Sequence, residues 1–180
     1  QEATPQSWRN GGGITYELAT WPSPDDWLWR VSVARIDRDG PFSAFEGIQR
    51  WFAVLTGDGV KLSWPTHALA LTPHSEPVQF DGTLGCHAQL LGGPTLDFNL
   101  MARGLGGRLT RQTSAQHQAT WPAHAHVGVF ACTACSWLCE GAVIEQTQHS
   151  LHWAHLATPT SWSWTRGDAL IFVLHEEATP

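Results

Sequence analysis

Trp27-Leu28-Trp29-Arg30-Val31-Ser32-Val33-Ala34-Arg35 sets polar side chains between apolar ones from Trp29 to Ala34. An extended backbone sends successive side chains to opposite faces, so Arg30 and Ser32 share one face and Val31 and Val33 the other. The stretch reads as a strand with a polar and an apolar side. Around it, apolar residues recur at the same short intervals, and glycine, proline or aspartate interrupts before any helical period develops. Further strands are expected at Ile14 to Leu18, Arg50 to Thr56, Val60 to Trp64, Ala68 to Leu71, Val78 to Phe80, Cys86 to Leu91 and Asp97 to Arg103. Gly57-Asp58-Gly59, between two apolar runs, is expected to close a compact hairpin. The chain is all-β. Short, regularly spaced strands without helices imply closure into a barrel or sandwich, which removes exposed sheet edges.

Gly104, Gly106 and Gly107 break the pattern, dividing an N-terminal half, 1–103, from a C-terminal half, 104–180. Strands resume at Arg108 to Thr113, Val127 to Thr133, Ala142 to Gln146 and Ala169 to His175. Trp137, Trp153, Trp162 and Trp164 are large enough to fill an interior in this second half.

The formal charge is -6 at pH 7 and the basic residues are scattered, which excludes a surface that tracks phosphates, so no nucleic-acid partner is expected. Every basic residue except Lys61 is arginine, the side chain suited to bidentate carboxylate pairing at partly buried sites. A small acid is the expected ligand. No run of about 18 apolar residues occurs and no basic-then-apolar leader opens the chain, so no membrane association is expected and the cytoplasm is the default location. The sequence opens at Gln1 rather than methionine, which leaves room for a leader before this numbering. Cys86, Cys132, Cys135 and Cys139 are sparse and mostly clustered, unlike a disulfide framework, and reduced thiols are expected. A free sheet edge would allow a homodimer.

Trp8-Arg9-Asn10-Gly11-Gly12-Gly13-Ile14-Thr15 places an arginine and an asparagine beside three glycines. Free amides there could converge with Arg9 and Asn10 on an anion. The plainer reading is a tight turn entering a strand, because no Gly-Lys-Ser/Thr follows to make a phosphate loop. Neither a Gly-x-Ser-x-Gly elbow nor His-Glu-x-x-His occurs, so hydrolase chemistry has no motif behind it.

Taken in order, these motifs resemble the HutD/Ves family, small double-cupin proteins associated with bacterial histidine utilisation and stress response. The likeness rests on Trp8 to Thr15 with Glu17-Leu18, on Trp29 to Ala34, and on Asp39-Gly40-Pro41-Phe42-Ser43 with Phe45, Gly47 and Arg50. It continues through Leu55 to Gly59, Phe80-Asp81-Gly82, Leu90 to Pro94 and Asp97-Phe98-Asn99-Leu100-Met101 with Arg103, and returns only at Gly167-Asp168-Ala169-Leu170. The resemblance implies a bicupin of two double-stranded β-helix barrels. It also implies a pocket for a small metabolite of histidine breakdown such as N-formylglutamate or urocanate, with no established reaction and no cofactor. Arg9, Arg30 and Arg50 could each fork onto a carboxylate. Asn10, Ser32, Ser43 and Asn99 offer neutral donors and acceptors, and Met101 joins the pocket set although core packing is its commoner role.

Other readings stand beside this one. Arg30 or Arg50 could pair with Asp39 or Asp97 and merely pin loops. His124-Ala125-His126 on a strand would aim both imidazoles at one face, as a metal-dependent cupin enzyme requires, yet Gln118 and Phe130 or Ala131 stand where metal-binding cupins carry glycine and glutamate. Cys132-Thr133-Ala134-Cys135 with Cys139 or His126 has zinc-like spacing but lies in an apolar run, where buried inert thiols are expected. Trp21, Trp27, Trp29, Trp51 and Trp64 would make a carbohydrate-binding module if they lay coplanar and exposed.

Overall fold

In the computed structural model, which describes residues 5–8, 11–113 and 118–176, every regular element is a strand. The chain divides into two compact units, Gln1–Gly104 and Leu105–Pro180. The first contains β1 (Pro5–Ser7), β2 (Gly13–Pro22), β3 (Trp27–Ile36), β4 (Gly40–Pro41), β5 (Ile48–Thr56), β6 (Val60–Ser63), β7 (Ala68–Leu71), β8 (Val78–Asp81), β9 (His87–Leu90) and β10 (Thr95–Arg103). Its sheets run β1-β2-β3-β10-β5-β8 and β4-β9-β6-β7. The second contains β11 (Leu105–Gln112), β12 (Gln118–Trp121), β13 (Ala125–Ala131), β14 (Cys135–Cys139), β15 (Ala142–Gln146), β16 (Leu151–Leu156), β17 (Thr160–Arg166) and β18 (Ala169–Glu176), in sheets β11-β18-β13-β16 and β12-β17-β14-β15.

Counted from β3 and from β11, the two units follow one plan: first strand beside eighth, third and sixth, and second beside seventh, fourth and fifth. That is the double-sheet jelly roll of cupins. The β1-β2 hairpin is an addition to the first unit, laid against the outer edge of β3.

Gly57-Asp58-Gly59 does not close a hairpin. β5 pairs with β10 and β8, whereas β6 pairs with β7 and β9, so the segment is a corner that carries the chain from one sheet to the other. The glycines are still required, since Gly57 and Gly59 hold φ of 97° and 109°, and a Cβ on Gly59 would run into the Leu71 carbonyl oxygen. Gly59→Ala is therefore expected to destabilise the protein by about 2 kcal/mol, read as a lower urea midpoint at unchanged slope.

Six strands escaped the sequence pattern: β1, β4, β12, β14, β16 and β17. In β17 the alternation was present, Trp162 and Trp164 buried between more exposed Ser161 and Ser163, but small hydroxylated neighbours carry little contrast. Trp121, Trp137, Trp162 and Trp164 fill the second barrel together with Val127, Val129, Ile171 and Val173, and the Trp137 and Trp164 rings stack at 5.7 Å. Trp153 does not join them, because it pairs in register with Gly128 on the other face of β13. In the first barrel, Ile36, Phe52, Val54, Leu62, Trp64 and Phe80 form the apolar cluster.

Candidate ligand pocket

Strand pairing places the inward side chains of three strands in rungs. Arg30, Met101 and Arg50 form one, Ser32, Asn99 and Phe52 the next, and Ala34, Asp97 and Val54 the third. Arg30, Met101, Arg50, Ser32, Asn99 and Ala34 of these rungs line a cavity of about 560 Å³ within the first unit. Gln6, Ser7, Trp8 and Thr15 complete one wall, and Phe42, Ser43 and Phe45 another. Six expected residues thus share one cavity: Arg30, Ser32, Ser43, Arg50, Asn99 and Met101. Arg9 and Asn10 lie outside the described residues.

The glycine run is a turn. Trp8 N–H donates to the Gly13 carbonyl and Gly11 N–H to the Trp8 carbonyl, both at 2.9 Å, which engages the Gly11 amide inside the loop rather than leaving it for an anion. Gly13 sits where a Cβ would meet the Arg35 carbonyl, and the Trp8 indole N–H donates to Thr15 Oγ1 at 2.7 Å, fixing Trp8 in the cavity wall.

Arg50 is 5% exposed. Its Nη2 donates to Asn99 Oδ1 at 3.1 Å and its Nη1 to the Ser43 carbonyl at 3.4 Å, so Ser43 serves through its backbone. The rings of Phe42, Phe80 and Phe45 surround the guanidinium at 5.1, 5.1 and 5.7 Å. Burial pushes its pKa down to about 10, with the Arg30 charge acting the same way and Cys86 opposing, so it stays cationic at neutral pH. Arg30 packs over Trp27 and Phe45 at 5.2 and 5.8 Å and points Nη2 at Met101 Sδ, 3.3 Å away. Burial lowers its pKa as well, against the pull of Glu17. The Nε atoms of both arginines are buried without a partner among the described residues.

Neither guanidinium is ion-paired with a described residue. Among the described residues the ion pairs are Arg35–Asp37, Arg103–Asp26 and Arg166–Glu145. Asp39 accepts instead from the Leu90 amide, and Asp97 from the Thr95 hydroxyl, at 2.8 and 2.7 Å. The loop-pinning network is therefore not built from these carboxylates. Two desolvated cations face one cavity, with an amide, a hydroxyl and aromatic rings around them.

A family model for HutD matches residues 1–178. The chain belongs to the HutD family. It is 38% identical over 96 residues to an uncharacterised 21.2 kDa protein in the hutC 3' region of Pseudomonas putida, and 35% identical over 98 residues to protein Ves of Escherichia fergusonii. These spans are 52% and 53% of this chain and 50% and 51% of the relatives, so the chain spans about half the length of the curated relatives it matches. The solved structure of HutD from Pseudomonas fluorescens SBW25 superposes with a TM-score of 0.82 at 25% identity, covering 98% of this chain and 95% of that one. A cupin 2 conserved barrel domain protein from Leptotrichia buccalis, at TM-score 0.58 and 6% identity with 98% of each chain covered, shares the fold alone.

In this HutD family member the polar rungs described above belong to the first barrel. The second barrel has Arg108-Val173-Val127 and Thr110-Ile171-Val129 in the corresponding register, and its tryptophans occupy the interior. The His-x-His reading is corrected. His124 is exposed in the turn before β13 at φ 58°, while His126 is buried on the strand, so the two do not share a face. The His126 ring stacks on His155 at 4.6 Å, and burial plus that neighbour push its pKa down to about 4. No group of three or more histidine, cysteine or acidic side chains among the described residues could hold a metal ion. Cys132, Cys135 and Cys139 are free thiols, each pushed above the usual range by burial, Cys135 to about 11. A sugar platform is not assembled either, because Trp29, Trp51 and Trp64 are buried.

Sequence reasoning missed the aromatic shell of Phe42, Phe45, Phe80 and Trp27 around the arginines. Phe42 and Phe45 stood in the quoted motif, but nothing local marked them as cavity residues. It also treated Asp97 only as an ion-pair partner.

Proposed function

We propose that this protein binds a small carboxylate metabolite in the first barrel without a metal. An intermediate of histidine breakdown such as N-formylglutamate or urocanate fits that chemistry, bound in the regulation of histidine utilisation. One observation carries the reading: Arg30 and Arg50 are desolvated, neither forms an ion pair with a described carboxylate, with Glu17 acting on Arg30 only from beyond ion-pair distance, and both open onto the same cavity. A buried cation is costly without a counter-charge, and a carboxylate supplies one through charge-assisted hydrogen bonds. Ser32 and Asn99 add neutral groups able to read an amide or formyl function. The cavity volume lies in the range of small-molecule sites, roughly 300–1,000 Å³. Among the described residues its lining contains no histidine, cysteine, aspartate or glutamate, which makes it a poor metal site and a good anion site. The hutC-region placement of the Pseudomonas putida relative supports the link to histidine metabolism.

Isothermal titration of metal-stripped protein with N-formylglutamate, glutamate and urocanate tests this. Saturable binding of one of the three without metal is the expected result. Absence of heat with all three at two temperatures would overturn the assignment.

A further inference from the structure

Met101 is the single methionine of the sequence and stands between the two arginines, in register with Arg30 on β3 and with Arg50 on β5. It lines the cavity, and its Sδ receives Arg30 Nη2 at 3.3 Å. A thioether is a weak acceptor, so a strong charged donor is matched there to a poor partner. We propose that Met101 is an oxidation site: hydrogen peroxide entering the cavity converts the thioether to a sulfoxide, whose oxygen takes donors of Arg30 and Arg50 and closes the pocket to carboxylates.

The step balances. A sulfur lone pair attacks one peroxide oxygen, the S–O bond forms as the O–O bond breaks, and the departing hydroxide takes the remaining proton and leaves as water. Sulfur is oxidised by two electrons and the peroxide reduced by two. The product changes a flexible apolar side chain into a polar one with a strong acceptor oxygen, reversible by methionine sulfoxide reductases. Peroxide has few better targets here. Burial raises the pKa of all four thiols, which keeps thiolate scarce, whereas the thioether needs no deprotonation and, although Met101 is 5% exposed, borders the cavity. Oxidation of Met101 is a claim independent of any ligand; closure of the pocket rests on the carboxylate reading above.

The folded chain is treated with hydrogen peroxide, mapped by peptide mass spectrometry, and titrated calorimetrically with N-formylglutamate, glutamate and urocanate. One oxygen is expected on Met101 at a rate within about tenfold of the urea-unfolded chain. Affinity for whichever of the three carboxylates binds should fall by at least about tenfold and return after treatment with methionine sulfoxide reductases. Met101→Leu, whatever its own affinity, should not respond to peroxide, and Met101→Gln, which sets an amide oxygen beside Arg30, should bind as weakly as the oxidised protein. Protection of Met101 by more than about a hundredfold, or oxidation of the thiols first, would overturn the modification. Oxidation at Met101 with less than about a twofold change in affinity would overturn the closure. If the untreated protein binds none of the three carboxylates, the carboxylate reading and the closure fall together, and the mass spectra alone decide the modification.

Discussion

Replacing Asp97 with asparagine is expected to stabilise the protein at pH 8 by on the order of 4 kcal/mol and to flatten its stability between pH 4 and pH 7. Asp97 is fully buried, its Oδ2 accepts from the Thr95 hydroxyl at 2.7 Å, and its Oδ1 has no partner among the described residues. Its cross-strand neighbours Ala34 and Val54 offer no charge. Burial pushes the carboxyl up to about 7, against the pull of the Thr95 hydrogen bond. In the unfolded chain the same group titrates near 4. Between those values the folded state holds a proton that the unfolded state has released, so stability is fully present below about pH 4, falls as pH rises to about 7, and stays flat above. Asparagine keeps the shape and an acceptor for Thr95 but has no proton to lose. Denaturant unfolding of both proteins at pH 4, 5, 6, 7 and 8 should give curves that coincide at the acid end and diverge steadily. A variant less stable than the parent at pH 8 would mean that ionised Asp97 has a stabilising partner.

Arg50→Met should weaken carboxylate binding by roughly a hundredfold or more, about 3 kcal/mol, with unfolding free energy unchanged or higher. The side chain loses its charge but retains an unbranched stem, and removal of a desolvated cation offsets the donors lost to Asn99 Oδ1 and the Ser43 carbonyl. Arg30→Met should also abolish binding with thermal stability nearly unchanged, since among the described residues Arg30 donates to the Met101 thioether and to no oxygen. Arg35, exposed and paired with Asp37 at 2.8 Å, is the control; Arg35→Met should shift stability by less than about 1 kcal/mol. Calorimetric titration and thermal melts on the three variants separate the cases. Unfolding of Arg50→Met without a measurable binding defect would mean that Arg50 pins the Ser43 loop, and an unchanged Kd would remove the cavity as the site.

Much of the candidate site could be read from β3 and β10. Period-two alternation put Arg30 with Ser32 on one face, the motif order named Asn99 and Met101, and the strand bounds there hold to within two residues. Reading failed where a local signal had two outcomes. Gly57-Asp58-Gly59 has the chemistry of a turn, but whether a turn joins partners in one sheet or crosses to another depends on strands far along the chain. His124-Ala125-His126 looked like a strand pair only on the assumption that the strand begins at His124, whereas it begins at Ala125.

All-β character, the face each strand presents and membership in the HutD family follow from residues near one another in sequence, because alternation is a property of extended backbone and motif order survives without knowledge of contacts. The meeting of Arg30 with Met101, 71 positions away, and of Arg50 with Asn99, 49 positions away, belongs to the fold. So do the absence of an ion pair at either arginine among the described residues, and the raised pKa of Asp97. Cross-strand register and burial are set by non-local pairing, and it is burial that turns scattered arginines and one aspartate into groups with unmet electrostatic demands.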